Sequence, residues 1–441
     1  MTRRDCLAGL VAAPMLRAAR KPNIVVIVAD DLGNNDLGFQ GSPDIVTPHL
    51  DSLARAGTRY TNGYVSHPFC SPTRAGLMTG RYQQRFGHEN NMVFDQADPV
   101  AGLPLTEAML PELLGKAGYA TGLVGKWHLG AHPRFHPTRR GFREMYGFVG
   151  GGHDYFDPGR PGEKDQHLIP IEREDRKPVA EKEYLTTALG REAEAFVRRH
   201  KSDPFFLYLA FNAPHAPLQA PESYRKRFAN IKDPNRRTYA AMVSAMDDAV
   251  GRVLGALKEN NLDGDTLIFF LSDNGGPTGN ASSNGPLRGT KRTLHEGGVR
   301  VPFVLRWTGR VDAGKVSNQL AISLDVFTTA LAAAGVKTPS DRPIDGVDLL
   351  SPPPRSRRLY WRTFGGEDFA VREGSMKLLR QGKQEPQLFD LAVDPGESRN
   401  LAKERPEMTK QLSAALDTWN RSLAKPLWLD HIFHKDQLSK H

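Results

Sequence analysis

Cysteine is almost missing from this sequence: Cys6 and Cys70 are the only two in 441 residues. A disulfide framework cannot be drawn from them. Long apolar runs are missing too, since the longest near the N-terminus, Cys6 to Leu16, is too short to span a bilayer. Lysine-rich runs and basic stripes interleaved with aromatics do not occur, and the cluster FVRRHK reads as the solvated end of a helix. Nucleic acid is therefore excluded as the expected partner. No internal repeat is visible. The surplus of positive charge, +9 overall, favours anionic ligands by long-range attraction but fixes only their sign.

The opening MTRRDCLAGLVAAPMLRAAR has a basic start, a short apolar stretch and small residues before Arg20. That is the layout of an export signal, read here over residues 1–19, and Thr2-Arg3-Arg4 followed by Leu7 resembles a twin-arginine leader. An ordinary amphipathic helix is the alternative. An exported protein, periplasmic or secreted, is the expectation, and removal of the leader takes Cys6 with it. Cys70 is then the only thiol in the mature chain.

Four apolar runs lack polar alternation: Ile24 to Ala29, Thr121 to Val124, Phe205 to Phe211 and Leu267 to Leu271. Such runs fit strands buried on both faces. Helical patterns lie between them: one starting at Thr47-Pro48 and ending at Gly57, one through Leu185, Leu189 and Phe196, one from Met242 to Leu257. Alternation of this kind predicts an α/β fold with a large, mostly parallel sheet flanked by helices, over residues 20–335. After the proline-rich, basic connection SPPPRSRR the pattern changes. Residues 336–441 are read as a smaller subdomain, with antiparallel strands around FAVREGSMKLLR and a closing helix striped by Met408, Leu412, Leu416, Trp419 and Leu423.

The residues just past each buried strand are the informative feature. NIVVIVA runs into Asp30-Asp31, ATGLVG into Lys126-Trp127-His128, FFLYLAF into Asn212 and Pro214-His215, and TLIFFLS into Asp273-Asn274. Ligands bind beyond the carboxyl ends of the strands in an open parallel sheet, so the four loops are expected to share one rim. Three carboxylates and an amide oxygen are hard donors suited to Ca²⁺ or Mg²⁺, while lysines and histidines suit an oxyanion and its leaving group. Each loop alone reads equally as a turn or cap; the conjunction describes a metal-assisted site for an anionic ester. Cys70, at the start of a helix running through TRAGLMTG, is either a nucleophile activated by the helix dipole or an inert buried thiol.

The stretch CSPTR resembles the C-x-P-x-R signature of type I sulfatases, arylsulfatase-like members of the alkaline phosphatase superfamily. Beside it, in that family's order, stand NIVVIVADDLG, GKWHLG, APHAPLQAP, SDNGG, NGPLRGTKRTLHEGGVRVPFV and LFDLAVDPGESRNLA. The resemblance implies that a separate formylglycine-generating enzyme oxidises Cys70 to Cα-formylglycine, whose hydrate attacks the sulfur of a sulfate ester. It implies a divalent ion, Ca²⁺ with Mg²⁺ as the alternative, on Asp30, Asp31, Asp273, Asn274 and residue 70. Arg74 would hold the hydrate. Lys126, Lys291 and His215 would hold the sulfate oxygens, His215 with Lys291 would protonate the leaving oxygen, and His128 would take a proton as sulfate is expelled.

One departure stands out. Some relatives place a serine where this chain has VGGGHDYF, and Gly150, Gly151 and Gly152 supply no hydroxyl. His153 and Asp154 are the candidates to line the substrate pocket there. The expected activity is release of inorganic sulfate from a sulfated carbohydrate. A phosphonate monoester or phosphodiester hydrolase of the same superfamily is the alternative within enzymes, and a non-catalytic sulfated-glycan-binding protein the alternative outside them.

Overall fold

The four apolar runs form the middle of one ten-stranded sheet in the computed structural model, which describes residues 20–430. The leader read at residues 1–19 lies outside the described residues. In spatial order the strands are Lys315–Ile322, Thr58–Tyr64, Phe303–Arg306, Thr266–Ser272, Asn23–Ala29, Phe205–Ala210, Ala120–Lys126, Glu144–Phe148, Glu172–Arg173 and Lys177–Pro178. Asn23–Ala29 lies between two parallel neighbours, with Val25 opposite Leu207 on one side and Ile268 on the other. Every residue of this strand is buried, which is why it reads as an unbroken apolar run.

Helices cover both faces. Pro234–Glu259 begins on Asp233, whose carboxylate accepts from the Asn235 amide at 2.8 Å, with proline at the first position where a missing N–H costs nothing. It packs against Leu185–Arg199. A carboxylate of the same long helix, Asp247, accepts the His49 and Leu50 amides at 3.1 and 2.7 Å, capping Pro48–Arg55 from outside.

Of the six strands of this sheet that were not read from the sequence, two lie between the edge strand Lys315–Ile322 and the central four. Thr58–Tyr64, TRYTNGY, is too polar to read as buried, yet Gly63 packs so closely on Phe303 that a Cβ there would stand 2.3 Å from that side chain's Cβ. Phe303–Arg306 inserts antiparallel between Thr58–Tyr64 and Thr266–Ser272, so the sheet is mixed but mostly parallel.

The second unit is a four-stranded antiparallel sheet, Arg358–Thr363, Asp368–Glu373, Met376–Gln381 and Gln387–Asp390, covered by the helix Pro406–Asn420. Leu412, Leu416 and Trp419 are the buried residues of that helix. Trp361 anchors the small sheet to the large one, packing its ring against Tyr64 and donating its indole N–H to the Val65 carbonyl at 2.8 Å. Arg362 makes a buried ion pair with Glu89 at 2.5 Å. Glu89→Ala strands that guanidinium, and a cost of about 3–5 kcal/mol is expected in denaturant unfolding; a loss below about 1 kcal/mol would show that water reaches the pair.

Candidate active site

The loops after the four central strands converge, as the topology requires. Asp30 leaves its strand with its amide on the Ala213 carbonyl at 3.1 Å, and the Asp273 amide donates to Ala29 at 3.0 Å. Asp31 and His128 both have left-handed backbone, with φ of 62° and 58°. Non-glycine residues adopt that conformation at a cost of about 1–3 kcal/mol, and it concentrates at functional sites. Lys126 is the last residue of its strand, fully buried.

Three carboxylates and three cations interlock. Arg74 donates through Nε and Nη2 to Asp273 Oδ2 at 3.1 and 2.8 Å, and its Nη2 lies 3.5 Å from Asp30 Oδ2. Lys126 Nζ is 2.5 Å from the same Asp30 oxygen. Lys291 Nζ reaches Asp31 Oδ1 at 2.6 Å and Cys70 Sγ at 3.2 Å. The thiol also lies 3.6 Å from Asp30 Oδ1, and His215 Nε2 lies 3.6 Å from Asp31 Oδ2. The guanidinium of Arg74 is thus engaged by carboxylates here, beside the Tyr208 hydroxyl.

Burial dominates the protonation of these groups, and local charge corrects it. Burial pushes the Cys70 thiol up to about 12, against the pull of Lys126 and Lys291. A helix N-terminus therefore does not yield a thiolate here. Burial also opposes ionisation of Asp31, but Lys291 and His215 overcome it and hold that carboxyl at about 2. Asp273 is raised by burial and then by Asp30. Burial lowers His215 to about 4 despite Asp31, and burial lowers His128 well below the usual histidine range, with Lys126 adding to the effect.

The donor set fits a hard divalent cation. The amide nitrogen of Asn274 is used twice, on Asp31 Oδ1 at 2.7 Å and the Gly275 carbonyl at 3.0 Å, while its buried Oδ1 has no partner among the described residues. Buried amide oxygens are rarely left so, and this one belongs to the same cluster as the three carboxylates. Ligand atoms of Asp30, Asp31, Cys70 and His215 lie within 4.8 Å of one another. Asp30, Asp31 and Asp273 balance Arg74, Lys126 and Lys291 in formal charge, so a divalent cation would leave a net positive site for an anion.

The surroundings explain two motifs. Ser71 donates its hydroxyl to the His128 carbonyl at 2.6 Å and lies 2.7 Å from His88 Nε2. A hydroxyl has one proton, so His88 must donate through Nε2; Ser71 and His88, which no sequence signal singled out, fix the loop that carries His128. The motif LFDLAVDPGESRNLA does the same for Lys291. Glu397 accepts the Glu296 amide at 2.7 Å and offers its carbonyl to Arg288 at 3.0 Å, while buried Lys377 bridges Glu296 and Glu397 at 2.8 and 2.9 Å.

His153 and Asp154 are committed to the chain itself. The His153 ring nitrogens lie 2.6 and 2.7 Å from the carbonyls of Asp154 and Ile169, and its ring contacts Phe148. Asp154 accepts from the Phe156 and Asp157 amides and from Gln219. The same loop instead returns Gln166 and His167 to Gly151 and Gly152, beside His128 and His215.

The family model described as Sulfatase matches residues 22–336, and that described as N-sulphoglucosamine sulphohydrolase, C-terminal, matches residues 289–422. The N-acetylgalactosamine-6-sulfatase of Sus scrofa is 40% identical over 365 residues, 78% of this chain and 67% of the relative. The arylsulfatase A of Bos taurus is 36% identical over 444 residues, 89% of this chain and 85% of the relative. Among solved structures, Ps i-CgsB in complex with k-i-k-neocarrahexaose superposes with a TM-score of 0.88 at 40% identity, covering 93% of this chain and 95% of that one. The phosphonate monoester hydrolase of Agrobacterium radiobacter, at a TM-score of 0.67 and 20% identity over 91% and 96% of the two chains, shares the fold.

Proposed function

The chain belongs to the sulfatase family and is a hydrolase of sulfate esters, and from that premise we propose that its substrate is a sulfated carbohydrate. The observation that carries the chemistry is Cys70 set between Asp30 and Lys291, under a cluster of hard oxygen donors and two histidines. The carbohydrate rests on relatives at 40% identity, one named N-acetylgalactosamine-6-sulfatase and one solved in complex with k-i-k-neocarrahexaose.

A divalent cation on Asp30, Asp31, Asp273, Asn274 and residue 70, calcium by preference with magnesium as the alternative, would draw electron density from the sulfate. Conversion of Cys70 to formylglycine by a separate formylglycine-generating enzyme would supply the hydroxyl nucleophile that a protonated thiol does not. The remaining work falls to the chain's own groups. Lys126, Lys291 and His215 bind sulfate oxygens, and the two ammonium groups favour the charge that accumulates there. His215, protonated once an anionic ester lies beside it, donates the proton with Lys291 to the departing sugar oxygen, whose basicity rises as its bond to sulfur breaks. His128 accepts a proton as inorganic sulfate leaves. Arg74 holds Asp273 and Asp30 in place for the cation. The export signal at residues 1–19 completes the proposal with an exported enzyme.

The test is competition between ester classes, using protein co-expressed with a formylglycine-generating enzyme. A kcat/KM for a sulfate monoester at least about 10²-fold above that for a phosphate diester or phosphonate monoester of the same alcohol is expected. The reverse preference would overturn the assignment.

A further inference from the structure

The segment that the proposed chemistry leaves unused is the triple-glycine turn, where a serine hydroxyl is missing. A Cβ on Gly151 would lie 2.7 Å from His128 Nε2 and 3.0 Å from Gln166 Oε1, so the space a side chain would take is already filled by those two groups. Gly151 donates its amide to Gln166 Oε1 at 3.0 Å, which fixes the carboxamide. Its other end, the NH₂ group, donates to no acceptor among the described residues. Next to it, His167 is oriented by Asp165, whose Oδ1 lies 2.9 Å from both the amide and Nδ1 of the histidine. A carboxylate beside Nδ1 only accepts, so Nδ1 carries the proton and Nε2 faces the turn. That Nε2 stands 3.0 Å from where a Cβ of Gly152 would be, and His215 Cε1 stands 3.5 Å from the same point. The His167 carbonyl holds the Asp154 amide at 2.9 Å, docking the returning chain on the turn. His167 keeps 37% of its side chain exposed.

We propose that Gln166 and His167 contact the sugar bearing the scissile sulfate, hydrogen-bonding its hydroxyl or amide substituents next to the ester and so setting which sulfated carbohydrate is accepted. This rests on the sulfated-carbohydrate reading of the same site. An amide NH₂ and an imidazole nitrogen, each fixed from behind by the chain, complement groups that both donate and accept, as sugar hydroxyls do. An aryl ring offers no such partner. A site that hydrogen-bonds a substrate hydroxyl discriminates strongly against an analogue without it, because its own polar groups are then left unpaired.

Gln166→Ala and His167→Ala are to be compared with the parent in two assays. Calorimetric binding of k-i-k-neocarrahexaose and of N-acetylgalactosamine 6-sulfate is measured on the Cys70→Ala protein, which removes turnover from the readout. Hydrolysis of 4-nitrophenyl sulfate is measured on the active enzyme. Each substitution is expected to weaken binding of the sugar the parent accepts by about 10-fold or more, and to lower sugar kcat/KM at least about 10-fold more than aryl sulfate kcat/KM. Unchanged sugar binding, or equal losses on sugar and aryl sulfate, would overturn the assignment of these two residues while leaving the sulfated-carbohydrate reading intact. A parent enzyme that hydrolyses the aryl sulfate yet neither binds nor cleaves any sulfated sugar in a defined panel would instead remove that reading, and this inference with it.

Discussion

Replacing Cys70 with alanine is expected to lower sulfate ester hydrolysis by about 10⁴-fold or more, the scale on which removal of a nucleophile acts. Stability should change by only about 1 kcal/mol, because the substitution deletes a single buried atom. The sulfur lies 3.2 Å from Lys291 Nζ and 3.6 Å from Asp30 Oδ1, among charged groups rather than in the apolar core. Burial keeps the thiol protonated up to about pH 12, so the unconverted cysteine is itself a poor nucleophile at neutral pH. Sulfate release and denaturant unfolding, measured on the same preparations, separate the two effects. Activity near that of the parent would remove residue 70 from the chemistry.

Stripping divalent metal is the second large effect. Asp30, Asp31 and Asp273 are buried together, and Asp273 is pushed up first by burial and then by Asp30, so an added cation relieves repulsion as well as polarising the ester. Rigorous chelation should lower turnover by about 10³-fold or more, several kcal/mol of lost charge stabilisation. Restoring Ca²⁺ at about 100 times its Kd should return activity and add about 2.7 kcal/mol of stability, visible as a higher thermal midpoint. Full activity in the chelated protein, with an unchanged midpoint, would contradict the oxygen-donor site. Because the donors are hard oxygens, Zn²⁺ is expected to substitute poorly.

The convergence of these loops was legible in the sequence because topology does the work. Each of Asp30, Asp31, Lys126, His128, His215, Asp273 and Asn274 stands within a few residues of a buried strand's carboxyl end, and a parallel sheet brings such ends together. Lys291 was reachable only through the family pattern, since it arrives from a long loop held by Lys377 of the smaller sheet and by Glu397 in the loop that follows that sheet. Gln166 and His167 gave no signal at all: they come after GRPGEKD, a glycine, proline and charge-rich stretch with no periodicity, and only the folded turn shows that it comes back to Gly151 and Gly152. His153 shows the opposite case. A histidine beside a glycine turn looks available in sequence, but both its ring nitrogens are taken by backbone carbonyls. The strand Thr58–Tyr64 was hidden because its burial comes from Gly63 against Phe303, a contact between segments 240 residues apart.

All of this turns on one side chain. The most direct measurement is mass spectrometry of the peptide spanning residue 70, from enzyme purified in its sulfate-releasing form. Conversion of Cys70 to formylglycine is the predicted result, seen as sulfur and two hydrogens exchanged for one oxygen, with the converted fraction tracking specific activity across preparations. An enzyme that releases sulfate at full rate while its peptide retains an intact thiol would contradict the account.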